Sequence, residues 1–131
     1  MIRIQSTLDD KTEQQVATVI DCALSVHRVL GPGFIESVYH NALCLEFDSR
    51  SIPFETERSV VIRYREKPVG LHRLDLVAYG AIVVELKAVK CLEPAHRAQI
   101  LSYLKATGYR VGLLMNFGGA TLGQGLRRVV L

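Results

Sequence analysis

Apolar positions recur along this chain in two rhythms, and the change between them marks its elements. Val16, Val19, Ile20, Ala23, Leu24, His27 and Leu30 return at three- and four-residue steps, the period of one helical face. This predicts a helix over residues 13–30, capped by Thr12 or Asp10 and stopped by Gly31-Pro32-Gly33. A second helix is expected over residues 33–49, with Phe34, Val38, Ala42 and Leu45 as its apolar stripe. The rhythm then becomes that of strands. Residues 54–64 hold Val60-Val61-Ile62, Glu66-Lys67-Pro68 reads as a turn, and residues 69–79 and 81–88 read as two strands around Gly80. Ile82-Val83-Val84 is the uninterrupted run expected of a central strand covered on both faces. Glu93-Pro94 opens a third helix that Gly108 closes, and residues 111–117 and 126–131 supply two more strands. The order helix, helix, three strands, helix, strand, strand predicts an α/β domain with a mixed sheet flanked by helices, the third helix being a crossover.

Composition narrows the class. A chain of 131 residues with 49% apolar and 22% charged residues is one globular domain, able to fold without disulfides. Cys22, Cys44 and Cys91 have no CxxC spacing and read as buried small hydrophobes rather than ligands. Residues 1–6 turn polar at once, so no leader peptide and no membrane association are expected, and the cytoplasm is the default location. A net charge of +3 neither requires nor excludes a nucleic-acid partner, because acidic ligands would subtract from it.

The candidate chemistry lies in the paired strands. Glu85 and Lys87 are two apart on an otherwise apolar strand and project from one face. Burying two charges there costs several kcal/mol, on the order of the general penalty, unless they are paired, solvated or functional. Asp75 sits in another apolar segment at hairpin distance. If it shares a face with Glu85, the two carboxylates repel unless a cation lies between them, and hard oxygen ligands suit Mg²⁺ or Mn²⁺. A two-residue turn at Tyr79-Gly80 would put Asp75 opposite Val84 and turn it away from Glu85. A shared face therefore requires a three-residue loop or a bulge near Gly80. The four histidines lack HxH or HExxH spacing, and no phosphate-binding glycine loop, nucleophile elbow or dinucleotide fingerprint is present. His27, on the apolar face of the first helix, reads as a hydrogen-bonded core histidine.

Asp75-x9-Glu85-x-Lys87 resembles the PD-(D/E)XK nuclease signature, with Leu74 where the proline usually stands. Gly33-Phe34-Ile35-Glu36-Ser37-Val38-Tyr39 is similar to the pattern that names the GxxExxY branch of that superfamily. Gln99-Ile100-Leu101-Ser102-Tyr103 resembles the QxxxY helix motif of RecB-like relatives. The resemblance runs over residues 26–117 and implies a single-domain restriction-endonuclease-like fold.

It also implies a divalent-metal-dependent nuclease using Mg²⁺ or Mn²⁺ on nucleic acid, DNA ahead of RNA. Asp75 and Glu85 would be metal ligands, Glu36 a further carboxylate at the metal, and Lys87 the group that orients water or stabilises phosphorane charge. Gln99, Tyr103 and His96 would form a supporting polar face on the third helix that borders the site and holds the nucleic-acid backbone or positions the metal-bound water. Tyr39 is first read as a packing or hydrogen-bonding residue behind it. A homodimer with two sites would enlarge the footprint of so small a domain. The alternatives are a non-catalytic nucleic-acid-binding module on a nuclease fold, and an interaction protein in which Glu85 and Lys87 form a salt bridge.

Overall fold

Asp9 starts the first helix, α1 (Asp10–Leu30), by accepting the Thr12 N–H on its carboxylate at 2.7 Å. The cap thus falls just before the positions expected, because Asp9 is the extended residue whose side chain reaches the first free amides. Helix α1 buries Val16, Val19, Cys22, Ala23, Val26 and His27, and the Gly31 N–H closes it on the His27 carbonyl at 2.8 Å. The computed structural model describes residues 7–131; residues 1–6, on which the absence of a leader was argued, lie outside them.

Helix α2 (Glu36–Ser49) buries Tyr39, Leu43 and Phe47. The expected stripe is therefore off by one position: Leu45 is 71% and Phe34 49% exposed. Apolar residues occur all round this helix, so helical spacing fits more than one face. The large aromatic rings win because they remove the most apolar area from water.

The strands are β1 (Phe54–Tyr64), β2 (Lys67–Ala78), β3 (Ile82–Lys87), β4 (Val111–Asn116) and β5 (Leu126–Val130), with α3 (Pro94–Thr107) between β3 and β4. They form one sheet in the order β1-β2-β3-β4-β5, with β3 and β4 parallel and every other pair antiparallel. Helix α3 is the crossover that a parallel pair demands. The turn between β1 and β2 is Arg65-Glu66, both at positive φ, not Glu66-Lys67-Pro68. Lys67 already pairs with Tyr64 and Pro68 with Arg63, and a register shift between Ile62 and Arg63 leaves Val69 out of the pairing, next to the residue that cannot donate to the ladder.

Helices α1 and α2 cover one sheet face, packing on Leu76, Ala78, Ile82, Val84, Leu86, Leu113 and Met115. On the other face Ile100, Tyr103 and Leu104 of α3 pack on Leu74, Val77, Val83, Leu114 and Val129. The mixed sheet flanked by helices is the architecture the element order implied. Of the three thiols only Cys22 is buried, while Cys44 is half-buried and Cys91 exposed, which corrects the expectation that all three are core residues. Among the described residues no helix is long and apolar enough to cross a membrane.

One irregularity matters for the site. Leu74 packs beneath α3, yet Leu76, two residues on, packs beneath α1 and α2. On β1, Phe54 and Val60 likewise belong to opposite faces. Strict alternation would keep each pair on one face. Both strands change phase together around Glu57 and Asp75, where Glu57 takes φ 51° and no pairing joins the two residues.

Candidate active site

The β2–β3 turn decides whether a site exists. Ala78 pairs with Ile82, leaving Tyr79, Gly80 and Ala81 in the loop. Tyr79 (φ 57°) and Gly80 (φ 63°) are both left-handed, and the Ala81 N–H closes the turn on the Ala78 carbonyl at 3.0 Å. Ala81 is the extra residue. It shifts the register by one, so that Leu76 faces Val84 and Asp75 comes level with Glu85. The irregularity required at Gly80 is present.

Backbone pairing of β2 with β3 ends at Leu76 and Val84, and side chains take over. The Asp75 N–H donates to Glu85 Oε1 at 3.2 Å, and the Leu86 N–H donates to Asp75 Oδ2 at 2.8 Å. Each carboxylate thus satisfies an amide that the diverging strands leave free. Glu85 is only 7% exposed. Burial, and then the Asp75 charge, push its carboxyl up to about 8, against smaller opposing pulls from the Asp75 amide and the Lys87 ammonium. Glu36 is exposed on the first turn of α2. Partial loss of hydration and then Asp75 raise its carboxyl, opposed by Lys87 and His40. Lys87, half-buried at the end of β3, therefore acts electrostatically on both Glu36 and Glu85.

Glu36, Ser37, His40, Asn41, Glu57 and Asp75 line an open groove of about 400 Å³ over this point. His40 and Glu57 were not singled out from the sequence. His40 lies one turn beyond Glu36, so its four-residue spacing was a usable signal; its Nε2 stands 3.3 Å from the Asp75 carbonyl oxygen. Glu57 carried no signal, since only the pairs on either side of it, Thr56 with Leu76 and Arg58 with Leu74, bring it opposite Asp75.

A family model of the PD-(D/E)XK nuclease superfamily matches residues 13–129. The chain belongs to the PD-(D/E)XK nuclease superfamily. No curated protein and no solved structure matches it.

The supporting residues of this PD-(D/E)XK domain divide into neighbours of the site and parts of its frame. Tyr103 is buried on α3; its ring lies 4.9 Å from that of His72, and its hydroxyl is 3.4 Å from His72 Nδ1. Burial, then Glu85 and Asp75, raise its phenol, which places it within the field of the two carboxylates. Gln99 is exposed one turn earlier. His96 accepts the Glu93 N–H on Nδ1 at 3.0 Å and so caps α3. The buried face of α3 is formed by Ile100, Tyr103 and Leu104.

Tyr39 is fully buried and belongs to the frame, out of reach of a nucleic acid. Its ring stacks on Phe117 at 4.7 Å, its hydroxyl donates to the Gly31 carbonyl at 2.6 Å, and it accepts the Phe34 N–H at 3.2 Å. Those bonds clamp the loop between α1 and α2, in which Gly33 holds φ 115°, and so fix where α2 begins with Glu36. His27 is the hydrogen-bonded core histidine expected, 3.0 Å from the Gly119 carbonyl. Asn116, unremarked in the sequence, is a second clamp. Its Oδ1 accepts the Val89 and Gly118 N–H groups and its Nδ2 donates to the Val89 carbonyl, all within 3.1 Å, tying the segment after Lys87 to the end of β4.

Members of the superfamily typically use divalent metals. Among the described residues no three His, Cys, Asp or Glu side chains converge as a ready ligand set. Asp75 and Glu85 meet, and Glu36 lines the same groove as Asp75. The donor chemistry nevertheless fits a hard divalent cation: all three are carboxylates, and a cation would offset burial and the Asp75 charge, the two largest causes that raise Glu85.

Proposed function

We propose that this domain is a Mg²⁺- or Mn²⁺-dependent nuclease that hydrolyses phosphodiester bonds, with DNA as its substrate ahead of RNA. The observation that carries the reading is the alignment of Asp75 with Glu85 at the diverging ends of β2 and β3. Asp75 and Glu85 would hold the cation and Glu36 would approach it from α2. When bound, the cation supplies Lewis-acid polarisation of a phosphoryl oxygen and lowers the pKa of a bound water. Lys87, whose charge acts on both Glu36 and Glu85, would orient the attacking water or neutralise charge on the five-coordinate phosphorus. Asn116 holds the backbone beyond Lys87 so that this charge is delivered from a fixed position.

The Gly33–Tyr39 pattern and the Tyr39 clamp behind it support assignment to the GxxExxY branch. Three free thiols agree with a reducing cytoplasmic location. A cleavage assay on duplex DNA and on RNA with each metal tests the proposal. Activity should disappear with Asp75→Ala and with Lys87→Ala; persistence in either refutes the assignment.

One observation favours a second reading, a binding module without catalysis. The Asp75 and Glu85 oxygens already serve backbone amides, and no complete ligand set stands ready among the described residues. Duplex binding that survives EDTA, with no cleavage in either metal, would select that reading.

A further inference from the structure

Before Leu76, β2 pairs only with β1, so the β1–β2 ribbon continues past the end of its pairing with β3 as an arm whose base, at Val60, His72 and Leu74, rests on α3. Residues 67–73 of β2 are all exposed, although Val69 and Leu71 are aliphatic and stand 63% and 64% open. Residues 58–73 contain five cations, Arg58, Arg63, Arg65, Lys67 and Arg73, against the single anion Glu66. That net +4 exceeds the +3 of the whole chain. Arg58 is tied to Glu55 at 3.0 Å and lies over the Tyr109 ring. Among the described residues Arg63, Arg65, Lys67 and Arg73 form no ion pair.

We propose that this arm grips a nucleic-acid duplex by its phosphates and lays it across the Asp75–Glu85 site. The inference deepens the nuclease reading and rests on it for the chemistry at that site. Charge is the first argument, since a run of unpaired cations on a projecting ribbon is the complement of a phosphate backbone. Reach is the second: Lys67 to Arg73 spans roughly 20 Å at about 3.4 Å per residue, the rise of about six base pairs. A two-stranded ribbon also fits the major groove. Position is the third. Arg73 lies two residues before Asp75, so a duplex held along the arm meets the carboxylates.

Charges on an exposed strand edge also discourage strand-to-strand aggregation. That role needs either sign, whereas here the sign is nearly uniform. A second copy of the chain is the rival occupant. Val61, paired with Leu71, and nearby Val69 are too few to supply the roughly 800 Å² per partner of a stable interface.

The test compares the full chain with an Arg63→Ala/Lys67→Ala/Arg73→Ala variant in three measurements. These are binding of a labelled 20-base-pair duplex in EDTA at several KCl concentrations, hydrolysis of bis(p-nitrophenyl) phosphate with Mn²⁺, and sedimentation equilibrium. The variant should bind the duplex at least about tenfold more weakly, with a salt slope lower by about 3, near 0.9 for each phosphate that is no longer neutralised. Its hydrolysis of the small diester should be unchanged, because that substrate needs no grip. Unchanged duplex affinity, or no duplex binding by the wild type, overturns the arm. So does a wild-type dimer that Val61→Asp dissociates, which would make the arm an interface between copies. A wild type that hydrolyses neither substrate, yet loses duplex binding in the variant, refutes the nuclease reading while supporting the grip.

Discussion

Glu85→Gln should remove a pH-dependent weakness from the metal-free protein. In the folded chain the Glu85 carboxyl is raised from an ordinary 4.5 to about 8, by burial first and the Asp75 charge second. Between those values the folded state holds a proton that the unfolded state has released. Stability from this group is therefore fully present below about pH 4.5 and is lost as pH rises through about 8. At about 1.4 kcal/mol per pH unit the ceiling is about 5 kcal/mol. Half of that ceiling is, for a domain of this size, about 10 °C in melting temperature. Glutamine keeps the acceptor for the Asp75 N–H and cannot ionise, so it fixes the neutral form. Thermal melts of wild type and variant in EDTA between pH 5 and 9 measure the difference, with the other titrating groups common to both. The wild type should fall further with rising pH than the variant, and Mn²⁺ at pH 8 should restore the wild type far more. Parallel curves in EDTA would refute the argument that Glu85 is buried against a second carboxylate.

Asp75→Asn retains an acceptor for the Leu86 N–H and should fold with nearly wild-type stability while losing stabilisation by Mn²⁺ in thermal shift. Asp75→Ala leaves that amide unpaired and should cost about 1–3 kcal/mol more in urea denaturation. Tyr39→Phe removes the bonds to Gly31 and Phe34 and should cost about 1–3 kcal/mol, with faster hydrogen exchange at the Phe34 amide. A destabilised Tyr39→Phe with unaltered exchange there would contradict the clamp. Asn116→Ala strands the Val89 N–H and carbonyl and the Gly118 N–H, for a cost of about 3 kcal/mol in the same denaturation experiment. Gly118→Ala should fail to fold, and soluble expression would check it, because its Cβ would lie 2.2 Å from the Val89 carbonyl oxygen.

Much of the frame is local and could be read from order alone. The helical period before Gly31, the apolar run at Ile82-Val83-Val84 and the Pro94 and Gly108 boundaries of α3 fall where the sequence put them. So does the need for an odd-length turn at Gly80, because the alternation of a strand ties face to count. Other features depend on what an element packs against. Helix α2 buries Tyr39, Leu43 and Phe47 because α1 and the sheet lie on that side, and its own apolar residues point several ways. The phase change at Glu57 and Asp75 needs both strands of the β1–β2 pair to shift together, and neither residue carries a mark of it. His40, Glu57 and Asn116 are ordinary polar residues until the fold brings them to Asp75 and to the segment after Lys87. The sequence by itself determined that Asp75, Glu85 and Lys87 are the candidates for the chemistry. Only the tertiary structure decided that Asp75 and Glu85 meet in a buried place, where removal of water and the approach of one carboxylate to another turn an ordinary side chain into one that resists ionisation.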